Sequence, residues 1–177
     1  KTVSGSDNIT IGADNGNSIT SGSDNIAIGS NSLSTSTLIG NDNIMIGADN
    51  GNGITSGADN IAIGSNCLSG SVVTGSENIV LGADNATTLT SGTQNVIIGS
   101  AAGTAITTGG SNIGIGRSTL SGKAALTGTN NTAIGESAGN GITSGISNIA
   151  IGMFAMEGTS ASSYAVVIGD SACLAGN

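Results

Sequence analysis

The chain has 177 residues, a formal charge of −8 and three basic residues in all, which excludes the clustered Lys and Arg that nucleic acid or an anionic membrane surface would need. It contains no His, Pro or Trp and one Phe and one Tyr, so Ser-His and Cys-His nucleophiles and His-ligated metals are ruled out and any core must be built from Ile, Val, Leu and Ala. No apolar run reaches the ~18 residues of a transmembrane helix, so no membrane insertion is expected of this segment.

Taken in order, the chain repeats one strand-like phrase. It begins at Asn8-Ile9-Thr10-Ile11-Gly12 and returns at Asn25-Ile26-Ala27-Ile28-Gly29, Asn43-Ile44-Met45-Ile46-Gly47, Asn60-Ile61-Ala62-Ile63-Gly64, Asn78-Ile79-Val80-Leu81-Gly82 and Asn95-Val96-Ile97-Ile98-Gly99. Asn112-Ile113-Gly114-Ile115-Gly116, Asn131-Thr132-Ala133-Ile134-Gly135 and Asn148-Ile149-Ala150-Ile151-Gly152 follow, and Ala165-Val166-Val167-Ile168-Gly169 closes the series without its Asn. Successive glycines are 17, 18, 17, 18, 17, 17, 19, 17 and 17 residues apart. A fixed period of this length identifies a solenoid.

The units alternate in kind, giving five double repeats of about 35 residues across one repeat region, 1–177. One kind carries Ala13-Asp14-Asn15-Gly16 after its glycine and the other Ser30-Asn31-Ser32-Leu33. Short second strands are expected at Ile19-Thr20, Ile54-Thr55, Leu89-Thr90, Ile106-Thr107 and Ile142-Thr143, with Asn15-Gly16, Asn50-Gly51 and Asn140-Gly141 at tight corners. Glycine interrupts every window, so helix is disfavoured. The expected fold is all-β: a parallel β-solenoid, β-roll or β-helix, of about ten coils with 17–18 residues per coil, a rod about 48 Å long at ~4.8 Å per coil. Because the repeat is already running at Asn8 and still running at Ile168, a segment of a longer fibre chain is expected.

Alternation along a strand puts the two flanking aliphatics on one face and the middle residue on the other. On this basis the coil core is expected to hold Ile9, Ile11, Ile26, Ile28, Ile44, Ile46, Ile61, Ile63, Ile79, Leu81, Val96, Ile98, Ile113, Ile115, Ile134, Ile149, Ile151 and Ile168. The middle residues Ala27, Met45, Ala62, Val80, Ile97, Ala133, Ala150 and Val167 are then expected to face outward. Strands apolar on both faces are covered on both, so these middle residues are expected to form a subunit interface around a three-fold axis.

Gly128-Thr129-Asn130-Asn131-Thr132-Ala133-Ile134-Gly135-Glu136-Ser137-Ala138-Gly139 and Ser23-Asp24-Asn25-Ile26-Ala27-Ile28-Gly29 resemble the head repeats of trimeric autotransporter adhesins and, equally, the repeat regions of bacteriophage tail fibres. The resemblance implies a homotrimeric left-handed β-roll exposed outside a cell or virion and used for attachment. Units longer than the adhesin heads' usual fourteen or so favour the viral fibre.

Asp7, Asp24, Asp42, Asp59 and Glu77 each stand just before the motif's Asn and would stack about 5 Å apart. Two readings follow: a solvated acidic edge, or a ladder bridged by cations, with calcium suited to oxygen ligands. The motif's Asn is read either as a buried amide ladder or as a turn residue. Cys67 replaces Ser32 in the equivalent unit and is read as a small turn or core residue; Cys173 is too distant in sequence for a metal motif. Phe154 and Tyr164, the only aromatics, fall together in the last coils, where a ligand-contact patch is one reading. Gly114-Ile115-Gly116 lacks the third glycine of a dinucleotide fingerprint, since Thr119 stands there.

These features point away from an enzyme and toward a rigid trimeric shaft or head segment of a viral tail fibre, located on the virion, with a host-surface polysaccharide or protein as partner. The head of a bacterial adhesin on the cell surface, a monomeric solenoid binding ice or polysaccharide, and an extracellular filament are the alternatives.

Overall fold

A computed structural model describes residues 5–34, 37–70, 72–158 and 162–173. Ten strands stack in chain order into one parallel sheet: β1 Ile9–Ala13, β2 Ile26–Ser30, β3 Ile44–Ala48, β4 Ile61–Ser65, β5 Ile79–Ala83, β6 Val96–Ser100, β7 Ile113–Ile115, β8 Thr132–Ile134, β9 Ile149–Ile151 and β10 Val166–Ile168. Every pairing is in the register of the repeat, Ile26 on Ile44, Ala27 on Met45 and Ile28 on Ile46, so identical positions form columns along the rod. The fold is an all-β solenoid with one strand per coil. Of the expected second strands, three shrink to isolated parallel bridges, Ile19 with Leu38, Ile54 with Val73 and Ile106 with Leu126, and those at Leu89-Thr90 and Ile142-Thr143 form no bridge among the described residues.

Besides the motif glycine, whose φ is positive in every coil, left-handed backbone bends each coil at three further fixed places. The residue before the motif's Asn is one, from Asp7 at φ 57° to Tyr164 at φ 59°. The second residue after the glycine is another, as in Asp14, Asn31 and Asp49. The third lies two residues further on and alternates between Gly16, Leu33, Gly51 and Leu68. Asp and Asn tolerate this conformation better than most residues, which explains their recurrence at the first two corners. The left-handed residue of the Asn15-Gly16 corner is Gly16, preceded by Asp14, and Asn15 itself is buried.

The third corner explains the double repeat. Its residue lies six positions after the strand's middle residue, and the two share the coil interior. Where the middle residue is small, the corner is large: Ala27 with Leu33, Ala62 with Leu68, Gly114 with Leu120, Ala150 with Met156. Where the middle residue is large, the corner is glycine: Met45 with Gly51 and Ile97 with Gly103. A Cβ at Gly51 would lie 2.7 Å from the Met45 sulfur, and one at Gly103 would lie 3.1 Å from Ile97 Cγ2. Val80 with Ala86 is intermediate at both positions, and Ala133 with Gly139 departs from the rule: there Leu120 of the preceding coil fills the space, its Cδ2 2.8 Å from a Cβ placed on Gly139. Leu33, Leu68 and Leu120 hold left-handed φ near 50°, a strain of about 1–2 kcal/mol each that burial of the side chain, worth about 1.5–3 kcal/mol, offsets.

This complementarity is testable by exchange. Ala62→Met alone overpacks against Leu68 and is expected to cost about 2 kcal/mol; adding Leu68→Gly should restore most of the loss, as seen in urea midpoints. Additive losses would contradict the shared volume.

Candidate functional site

The interior and exterior of the sheet are the reverse of the sequence expectation. Ala27, Met45, Ala62, Val80, Ile97, Ala133 and Ala150 are fully buried inside the single coil, and Val167 packs against the same core. They are core residues of one chain and do not form a subunit interface. The aliphatics expected in the core point outward. Ile9, Ile26, Ile44, Ile61, Ile79, Val96, Ile113, Ile149 and Val166 form one column, interrupted by Thr132. Ile11, Ile28, Ile46, Ile63, Leu81, Ile98, Ile115, Ile134, Ile151 and Ile168 form the other. Stacking shields the flanks of each side chain, yet Ile63 remains 40% exposed and Ile79, Ile113, Ile115, Ile134 and Ile149 each 37%.

The physical reason is the narrowness of the coil. Its interior is also filled by the corner residues and by the column Ile19, Leu38, Ile54, Val73, Leu89, Ile106, Leu126 and Ile142, all buried, which leaves room for one side chain of variable size from each strand. The motif's Asn lies two residues before that side chain and so shares its face. The Asn ladder is real and interior. Asn43, Asn60, Asn78, Asn95, Asn112, Asn131 and Asn148 are fully buried, and each Nδ2 donates to the preceding coil's Asn Oδ1 at 2.9–3.1 Å. That same Oδ1 accepts the next Asn's backbone N–H. A shorter second ladder runs through Asn15, Asn50 and Asn85, whose Oδ1 atoms accept from the backbone N–H of Ser32, Cys67 and Ala102.

The outward face is therefore a flat aliphatic stripe. Its two columns are about 7 Å apart, with ~4.8 Å between coils, and extend some 43 Å along the rod. Its rims are polar. Exposed Asp24, Asp42, Asp59 and Glu77 line the edge before the strands, and the ladder continues as Gln94 Nε2 donates to Glu77 Oε2 and Ser111 Oγ to Gln94 Oε1. Asp49 and Asp84 line the other edge, where Asn66 Nδ2 donates to Asp84 at 2.8 Å and Asn31 bonds Asp49 likewise. An apolar centre with a polar rim is the anatomy of a protein interface.

The column Asp7, Asp24, Asp42, Asp59 and Glu77 occupies the first left-handed corner throughout, and its local geometry accounts for those residues. Among the described residues no three His, Cys, Asp or Glu converge closely enough to hold a metal ion. Phe154 follows β9 and Tyr164 precedes β10, so the two aromatics lie at opposite ends of the strand and do not form one patch.

Cys67 is fully buried, its thiol donating to Gly82 O at 3.4 Å, and Cys173 is exposed. Burial raises the Cys67 thiol above its ordinary pKa, against a smaller opposing effect of hydrogen bonds from the Asn85 and Ser65 backbone. Thiolate is the reactive form, so at pH 8 a disulfide reagent should titrate one thiol quickly, Cys173, and the second only on unfolding. Two fast thiols would contradict the placement of Cys67.

No protein family, curated protein or solved structure matches the chain.

Proposed function

We propose that this chain is a rigid segment of an attachment fibre, in which three copies pack their aliphatic faces around a common axis. The reading rests on the stripe of outward Ile, Val and Leu along the sheet. At about 43 Å by some 14 Å it presents roughly 600 Å² of contiguous apolar surface, the upper end of what a soluble monomer exposes. The face suits a second and third copy of the same chain because its columns carry no charge to be desolvated and have the same repeat in every copy. Three copies related by a three-fold axis can turn these faces inward and cover one another's stripes.

The rest of the coil supplies stiffness. Backbone hydrogen bonds run coil to coil along the rod, as from Ile26 N to Asn43 O and Ile44 N to Asn60 O, both 2.8 Å, and the two Asn ladders cross-link the interior. Such a rod spaces or presents a tip at a distance from a virion or a cell, without catalysis. A viral tail fibre is the leading setting, with the bacterial adhesin head as its alternative.

Small-angle scattering of the segment tests the proposal. A rod with the cross-section of three coils is expected; the cross-section of one coil would overturn it. That outcome would favour a monomeric solenoid using its regularly spaced aliphatic face against a repetitive surface.

A further inference from the structure

The two outward columns are nearly interchangeable from coil to coil, with one departure. Every strand places Ile, Val or Leu at both outward positions except β8, where the first is Thr132, aligned on Ile113 of β7 and Ile149 of β9. The chain's own fold gives no reason for the change. Asn131 and Ala133 on either side are fully buried, so Thr132 faces outward with the aliphatics. Its backbone N–H donates to Asn148 O at 2.8 Å, as the repeat requires, and its hydroxyl has no partner among the described residues. Arg117 and Glu136, which follow the motif glycines after β7 and β8, are paired with each other.

Copies that meet through uniform stripes can slide. Moving one copy along the rod by one coil, about 4.8 Å, sets aliphatic on aliphatic again and uncovers only the end coils, so apolar contact specifies the register weakly. A three-fold axis holds equivalent residues of all copies at one height, whereas staggered copies leave overhangs on which further copies continue an open assembly.

We propose that Thr132 fixes the register between copies. In the closed trimer its three hydroxyls fall in one layer of the shared apolar interior and satisfy one another, directly or through a trapped water. A staggered copy would instead bury each hydroxyl alone among aliphatic side chains, as an unpaired polar group. A single polar residue in an aliphatic seam selects the register of coiled coils in the same way, at some cost in stability. The inference rests on the fibre reading above, in which copies meet on this face, and adds what makes the assembly close.

Co-expression of two chains carrying tags of different mass, read by native mass spectrometry, tests it. One is the parent; the other carries Thr132→Val and Ile79→Thr, which moves the hydroxyl from β8 to β5 in the same column. Each alone should form a trimer with the parent's circular dichroism. Together they should sort, because every mixed trimer leaves one hydroxyl alone in an aliphatic layer. Mixed trimers should fall about tenfold below the binomial proportion that two differently tagged parent chains give. Should the moved chain lose its sheet signal, parent with Thr132→Val decides instead: trimers holding a single parent copy should be depleted, while Thr132→Ser mixes with the parent freely. Binomial mixing in the deciding pair would overturn the role of Thr132 and leave the trimer standing. A parent of monomeric mass would remove the fibre reading, and the register with it.

Discussion

Replacing Gly82 by alanine is expected to cost at least about 4 kcal/mol. Gly82 has φ +129°, and a Cβ there would lie 1.7 Å from the carbonyl oxygen of Gly99 in the next coil and 2.9 Å from Asn85 Nδ2. The oxygen is backbone, held by Asn85 Nδ2 at 2.9 Å, so it cannot swing aside as a side chain would. The methyl must push two coils apart or force the strand out of register, and it also pays for a backbone conformation that L-residues avoid. In a solenoid each coil is supported only by its neighbours, so a lesion in the middle uncouples the two halves. Urea unfolding should show a much lower midpoint or two separate transitions, whereas Ser100→Ala at an exposed strand end should stay within about 0.5 kcal/mol of the parent. A Gly82→Ala protein as stable as the parent would mean that the coils do not stack through their glycines.

Asn78→Ala is expected to cost about 3–5 kcal/mol for a different reason. The Asn78 side chain donates to Asn60 Oδ1 and Gly92 O at 3.0 Å, and its Oδ1 accepts from both the backbone N–H and Nδ2 of Asn95 at 3.0 Å. Alanine leaves the Asn95 N–H and the Gly92 carbonyl unpaired in a fully buried site, at about 1–3 kcal/mol each, and leaves a cavity besides. Asn78→Asp should be no better, because it keeps the acceptor but brings a negative charge against Gly92 O and Asn60 Oδ1. At the end of the ladder Asn8 is only half-buried, and Asn8→Ala should cost about 1 kcal/mol. Equal effects at the two positions would show that the Asn is needed only for its turn. The comparison requires nothing beyond the chain itself.

The period, the parallel stacking and the strand positions were legible in the recurrence of Asn-Ile-x-Ile-Gly, since spacing alone puts equivalent residues in register. The facing of the strands departs from the expectation because hydrophobicity alone does not carry the width of the coil. Two branched aliphatics looked like core and a variable small residue like a crowded axis. The corrective signal was present in two forms. The Asn shares its face with the middle residue, and an amide ladder is strongest where water is excluded. The middle residue also trades volume with the position six residues later, Ala27 with Leu33 and Met45 with Gly51, which only a shared enclosed space would require. The acidic column was visible, but its cause, a left-handed corner repeated from Asp7 to Glu77, depends on backbone angles that a single sequence does not display.

The most direct measurement is the solution mass of the segment and of paired variants by light scattering, with circular dichroism on the same samples. The parent should have a mass near three times 16.7 kDa. Ile63→Asp with Ile115→Asp, on the outward face, should give a folded chain at the mass of one copy, while Val80→Asp, inside the coil, should lose the β-sheet signal altogether. A parent that is monomeric, or a Val80→Asp chain that stays folded and merely dissociates, would contradict the assignment of the outward aliphatic face as the surface on which copies meet.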